Sequence, residues 1–184
     1  NPAVILTRQM PHPDALNNIY EFIKLGLPAC AMLCSEWWAF EILVIFASQL
    51  GSDEVSAQTI ISQIGTVAFM IPLSIGIASS SLIGNSLGAN KPHLAKYIAR
   101  IALQSLCLIE LFISPCIVLF APAFVRIFSS SPSVIDIVVK ASYLLSVFTF
   151  ADGLQAVSSG ILRGAGKQFY GAYTNVFSYY AVGL

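Results

Sequence analysis

Apolar residues fall into four long blocks and the beginning of a fifth, separated by short polar breaks that contain glycine or proline. The pattern predicts helices over about 25–50, 55–83, 98–120, 134–161 and 169–184. The first block holds 26 positions from Leu25 to Leu50, which at about 1.5 Å of rise per residue makes about 39 Å, enough to cross a bilayer with tilt. Long apolar runs with the charges gathered between them read as spanning helices, whereas a barrel would show short strands of alternating hydrophobicity. The expected fold class is therefore all-α, a polytopic transmembrane helix bundle, with residues 1–24 as a loop leading into the first helix and 25–184 as the membrane part.

The breaks carry the usual punctuation. Residues 51–54, GSDE, read as a tight polar turn, and SSSPS, residues 129–133, as a loop with a Ser cap signal before the next helix. Residues 84–100, GNSLGANKPHLAKYIAR, are polar and basic and predict a loop with a short interfacial helix. Pro28 is expected near the start of its helix, where proline is least disruptive. Pro72 falls inside the second block beside Gly65 and Gly76, which predicts a bend there and close approach of a neighbouring helix.

Composition agrees with the pattern: 10% of residues are charged and 57% hydrophobic, with a mean hydropathy of +0.79, against about 25% charged in soluble domains. Nine basic and nine acidic residues cancel, which argues against nucleic acid as a partner and leaves the lipid bilayer as the main one. Cys30, Cys34, Cys107 and Cys116 all lie inside apolar runs without a CxxC pair and read as small packing residues, not as a disulfide framework or a metal site. Ser79, Ser80 and Ser81 have no histidine partner on a helix, and no GxxxxGK loop occurs, so a conventional enzyme is not expected. The first residue is Asn and the last block stops at Leu184, so the chain reads as an excerpt without a visible signal peptide.

The basic residues alternate in side. Arg8, Lys24, Lys91, Lys96, Arg100, Arg163 and Lys167 gather on one side of the predicted spans, and Arg126 and Lys140 on the other. Short cytoplasmic loops are enriched in Lys and Arg, so the first loop is expected in the cytoplasm. Nothing in the sequence distinguishes the plasma membrane from the vacuolar membrane.

Four carboxyls, Glu36, Glu41, Glu110 and Asp152, sit at membrane depth. Such groups cost roughly 2.5–3.5 kcal/mol each on insertion scales and usually mark an ion or substrate path. Five positions separate Glu36 from Glu41, about 500° of rotation, which leaves them about 140° apart; one faces a pathway while the other meets a neighbouring helix or a polar loop. A buried carboxyl is favoured in its neutral form, and its charged form attracts a cation, so protonation and cation binding compete for one site. That competition is a simple basis for exchanging protons against a positively charged solute. Trp37 and Trp38 are candidates to stack on an aromatic cation, and Gln58 and Gln63 to supply neutral hydrogen bonds, with helix packing as the plainer role for each. Glu110, alone among aliphatics near Pro115, reads as a packing carboxyl.

CSEWWAFE at 34–41, MIPLSIGIASSSLIGNSLGANK at 70–91, SGILRGAGKQ at 159–168 and YYAVGL at 179–184 together resemble the eukaryotic branch of the multidrug and toxic compound extrusion family, the MATE transporters. The resemblance covers nearly all of the chain after about Leu25, in order and spacing. It implies twelve transmembrane helices in two six-helix lobes around a V-shaped cavity, and this chain then looks like helices seven to ten and part of eleven, in the C-terminal lobe, without its N-terminal lobe.

It implies further that the complete protein exports small organic cations, drugs or toxic compounds in exchange for protons. Glu36 and Glu41 match the helix-seven carboxylates, and Asp152, eleven positions before Arg163, matches the helix-ten acid; Glu36 and Asp152 are then expected as the coupling and cation-binding pair, with Glu41 in support. Gln63 stands where some relatives carry a glutamate, and Glu110 has no counterpart. No cofactor is implied beyond the coupling ion, H⁺ or alternatively Na⁺. Rival readings are the same fold moving anionic metabolites or coupled to Na⁺, and a non-transporting membrane component.

Overall fold

The computed structural model describes residues 19–178, with the side chains of Met32 and Glu36 excepted. The expected loop before residue 19, the basic Arg8 within it and the continuation of the last helix through 179–184 lie outside the described residues. Five helices follow one another: α1 (Ile19–Ser48), α2 (Ser52–Gly88), α3 (Pro92–Phe128), α4 (Pro132–Gly164) and α5 (Gln168–Phe177). No strand occurs among the described residues. The first four are long and apolar enough to cross a membrane, and the protein is an integral, multi-pass membrane protein.

Three residues separate each helix from the next, so neighbours run antiparallel, and helices reach further into the polar segments than the hydropathy pattern predicts. At 37 residues, α2 and α3 are each about 55 Å long, well beyond the roughly 30 Å of hydrocarbon. Their polar ends project outward. The interfacial helix expected within 84–100 is thus replaced by the last turn of α2 and the first turns of α3.

The cause is local chemistry. Asn90, at φ 56°, receives the backbone turn after α2: its N–H donates to Leu87 O at 3.0 Å, and the Lys91 N–H donates to Ser86 O at 2.9 Å. Gly166, at φ 70°, repeats the pattern after α4, with Lys167 N–H donating to Leu162 O at 2.8 Å. These paired bonds satisfy the last carbonyls and stop a helix within three residues. Pro92 and Pro132 then open α3 and α4, where their missing N–H costs nothing and their fixed φ is already helical.

Three smaller expectations change. Asp53 and Glu54 belong to the first turn of α2 and not to a loop, where their charge complements the helix dipole. Ser131 takes the cap position of α4 without a side-chain cap bond; its N–H donates instead to Ser129 Oγ at 3.2 Å. Pro28 is interior to α1, because that helix begins at Ile19. Helix α2 continues without interruption through Pro72, which is buried.

Helices α2, α3 and α4 form the tight unit, and α1 pairs mainly with α5 while touching α2 along a shorter line. One apolar cluster, Ala57, Ile60, Val125, Val134 and Val138, closes the unit at the end of the 129–131 turn. A second, Ala102, Leu106 and Val157, closes it toward the other end.

Between α2 and α4 the backbones nearly touch: a β-carbon on Gly76 would lie 2.8 Å from Ala156 O, and one on Gly160 would collide with the Gly76 carbonyl. Lipid gives helices little hydrophobic reason to associate, so small residues that admit close van der Waals contact are what hold them. The four cysteines are free and lie on exposed faces. They face outward and are not the packing residues expected, because the helix-to-helix seams are taken by glycine, alanine and serine.

Candidate functional site

Among the described residues, an open cavity of about 530 Å³ lies between α1, α2 and α4, within the size range of small-molecule sites. Each helix contributes a stripe at i, i+3/i+4 spacing. From α1 come Trp37, Phe40, Glu41 and Val44; from α2, Gln58, Ser62, Thr66 and Phe69; from α4, Leu145, Phe148, Thr149 and Asp152. Phe40 and Phe148 meet edge to face, with ring centroids 6.0 Å apart and planes at 87°, a favoured aromatic geometry.

The polar groups on these walls are partly committed. Thr66 Oγ1 donates to Ser62 O at 2.8 Å and Thr149 Oγ1 to Ser146 O at 3.0 Å, so both hydroxyls bond back into their own helices. Gln58 Nε2 donates to Ser62 Oγ at 3.5 Å. Two carboxyls line the cavity, and no Lys or Arg does. Ionised carboxylates attract a positive charge, and aromatic rings add contact with an apolar body.

The structure gathers most of the residues singled out in the sequence and parts others. Asp152 is half-buried, and Glu41 reaches the same cavity from α1. Trp37, Gln58 and Gln63 also line it. Trp38, one position on from Trp37 and so about 100° around the helix, points away and is 64% exposed. The Glu36 side chain lies outside the described residues.

Phe40, Phe69 and Phe148 were not foreseen. Their signal was present as helical spacing, four positions before Asp152 for Phe148 and three after Trp37 for Phe40, but aromatics on an apolar face look alike whether they meet lipid, protein or a cavity. Glu110 is remote from this wall: it is buried on the other side of α4, beside Gly153.

With this geometry in view, the chain can be compared with known proteins. The MatE family model matches residues 28–184. The chain belongs to the MatE family. It is 34% identical over 171 residues to multidrug and toxin extrusion protein 1 of Danio rerio, covering 93% of this chain and 29% of that protein. To protein DETOXIFICATION 4 of Arabidopsis thaliana it is 36% identical over 180 residues, covering 96% and 38%.

The fold is similar to that in the crystal structure of the eukaryotic MATE transporter AtDTX14, with a TM-score of 0.88 and 31% identity over 95% of this chain and 39% of the other. The MatE chain thus spans between about three tenths and two fifths of the length of the relatives it matches.

Proposed function

We propose that the complete protein to which these helices belong is a proton-coupled antiporter that exports organic cations, with Asp152 and Glu41 as the carboxyls that bind proton and cargo in turn, and Glu36 as their partner on α1. The observation that carries this reading is the cavity itself: two carboxyls and an aromatic wall, with no basic residue lining it. A cation entering the cavity draws charge from the carboxylates and dispersion contact from Trp37, Phe40 and Phe148. A proton on either carboxyl removes the negative charge that holds the cation, so cargo affinity falls as pH falls. The names of the relatives, multidrug and toxin extrusion among them, support the same reading. In this reading the 89–91 and 165–167 turns face the cytoplasm, the missing wall of the cavity comes from the other lobe of the same chain, and the membrane is plasma or vacuolar.

The test is uptake of an organic cation into vesicles holding the full-length protein under an imposed pH gradient. Asp152→Asn keeps the shape and removes the proton site, and uptake is expected to fall to background. Normal pH-driven uptake by that variant removes Asp152 from the mechanism. Replacing the pH gradient by a Na⁺ gradient, and the cation by an organic anion, distinguishes the rival couplings and cargoes in the same vesicles.

A further inference from the structure

Glu110 stands at the middle of α3, eighteen residues from either end, or about 27 Å of helix from each. Its side chain is 1% exposed. Oε2 accepts a hydrogen bond from Ser114 Oγ at 3.5 Å, and Oε1 has no hydrogen-bond partner. The surroundings are tight: a β-carbon on Gly153 would lie 3.0 Å from Glu110 Oε1, 3.0 Å from Leu106 Cδ1 and 3.2 Å from Pro72 Cγ. The carboxyl is thus wedged where α2, α3 and α4 converge, against the backbone of the residue that follows Asp152. Any side chain at 153 would require these neighbours to give by a few tenths of an ångström.

Among the described residues, no basic side chain stands near Glu110 along the helices that meet here. Helix α2 meets it with Pro72 and has no Lys, Arg or His, its acidic residues Asp53 and Glu54 lying in the first turn. On α3 the nearest basic residues are Arg100 and Arg126, ten and sixteen positions away; on α4, Lys140 and Arg163 are at least ten positions from Gly153. Asp152, the adjacent titratable group, lines the cavity on the other face of α4. An ionised carboxylate at Glu110 would have one serine hydroxyl for solvation, and burial without a partner costs a charge far more than it costs a neutral acid.

We propose that Glu110 is a second proton-binding site, separate from the cavity, that keeps its proton while α2, α3 and α4 are packed together and releases it to water only when the contact at Gly153 opens. On release the O–H bond breaks, the electron pair stays on the carboxylate and the proton passes to water. A negative charge left in the junction then opposes its closure. The proton on Glu110 is therefore part of what seats α4, the helix that carries Asp152, against α3. This inference rests on the packing of three helices and not on the transport reading above.

Infrared spectroscopy of the purified full-length protein at neutral pH reads the site directly. The expected result is a carbonyl stretch of a protonated carboxylic acid that persists in Asp152→Asn, is lost in Glu110→Gln and shifts slowly on transfer to deuterated water. A spectrum without such a band, or with a band that Glu110→Gln leaves in place, overturns the proposal. Should Glu110→Gln fail to fold, Ser114→Ala removes the sole hydrogen-bond partner: a shift of the band supports the assignment, and an unmoved band refutes it. A transporter whose uptake ignored pH would end the antiport reading and leave this band untouched.

Discussion

Asp152 and Phe148 are one helical turn apart on α4 and share a cavity wall, yet they act by different physics. In the proposed exchange the carboxyl supplies charge that a proton can cancel, and the ring, which makes an edge contact with Phe40, supplies a face for the cargo. Phe148→Ala is accordingly expected to raise KM for an aromatic cation about fivefold, the equivalent of roughly 1 kcal/mol, with pH coupling intact. A variant that instead lost the response to the pH gradient at saturating cargo would show that the ring acts on the carboxyl and not on the substrate. The exposed pair Lys140 and Asp136, with Nζ 2.6 Å from Oδ2, is the contrasting case. Pairs of this kind on a helix surface are worth about 0.3–0.5 kcal/mol, so Asp136→Asn is expected to leave the thermal midpoint of the purified protein nearly unchanged.

At the scale of the elements, the seam between α2 and α4 is the tightest part of the protein. Gly76 and Gly160 face each other across it, and one turn further Gly164 lies against Ser80, where a β-carbon would stand 2.5 Å from the Ser80 carbonyl. The obstructing atoms are backbone, which cannot swing aside. Gly160→Ala is therefore expected to destabilise the full-length protein by about 1–3 kcal/mol, as overpacking of a close seam does, read as a lowered thermal midpoint in detergent. Gly26, on α1, has nothing within 4 Å of where a β-carbon would go. There Gly26→Ala is expected to be neutral or to stabilise by up to about 1 kcal/mol through helix propensity. Equal losses from both substitutions would mean that glycine matters for helix formation and not for the seam.

At the scale of the whole molecule, the outer surface is apolar where lipid meets it. Phe22, Leu119, Leu144 and Phe169 are all at least 69% exposed, as suits helices without an aqueous surround. The turns give a test of the proposed orientation in a plasma membrane. With the four native cysteines replaced, Asn90→Cys is expected to react with a membrane-impermeant maleimide only after the cell is permeabilised, and Ser130→Cys to react from outside. The reverse pattern would invert the topology inferred from the basic residues. The cavity is walled by α1, α2 and α4, and in the proposed reading a second lobe completes it. These 184 residues alone in vesicles are expected to show no gradient-driven uptake; measurable uptake would mean that one lobe suffices.

Length and apolarity of the blocks decided on their own that the chain is helical and spans a membrane, because hydrocarbon leaves a backbone no other way to satisfy its polar groups within one segment. The carboxyls at membrane depth were legible for a similar reason, since a charge in that place is too costly to be incidental. Helix ends were not, because a Schellman turn at Asn90 or Gly166 stops a helix by backbone geometry that hydropathy does not register. Nor was the placement of the acids: only the packing of the helices turned Asp152 toward the cavity and Glu110 toward Gly153, and only the rotation of α1 decided that Trp37 and not Trp38 lines it. Which face a helix turns inward depends on the neighbours it packs against, and in a chain apolar on nearly every face, one helix's own residues do not name those neighbours.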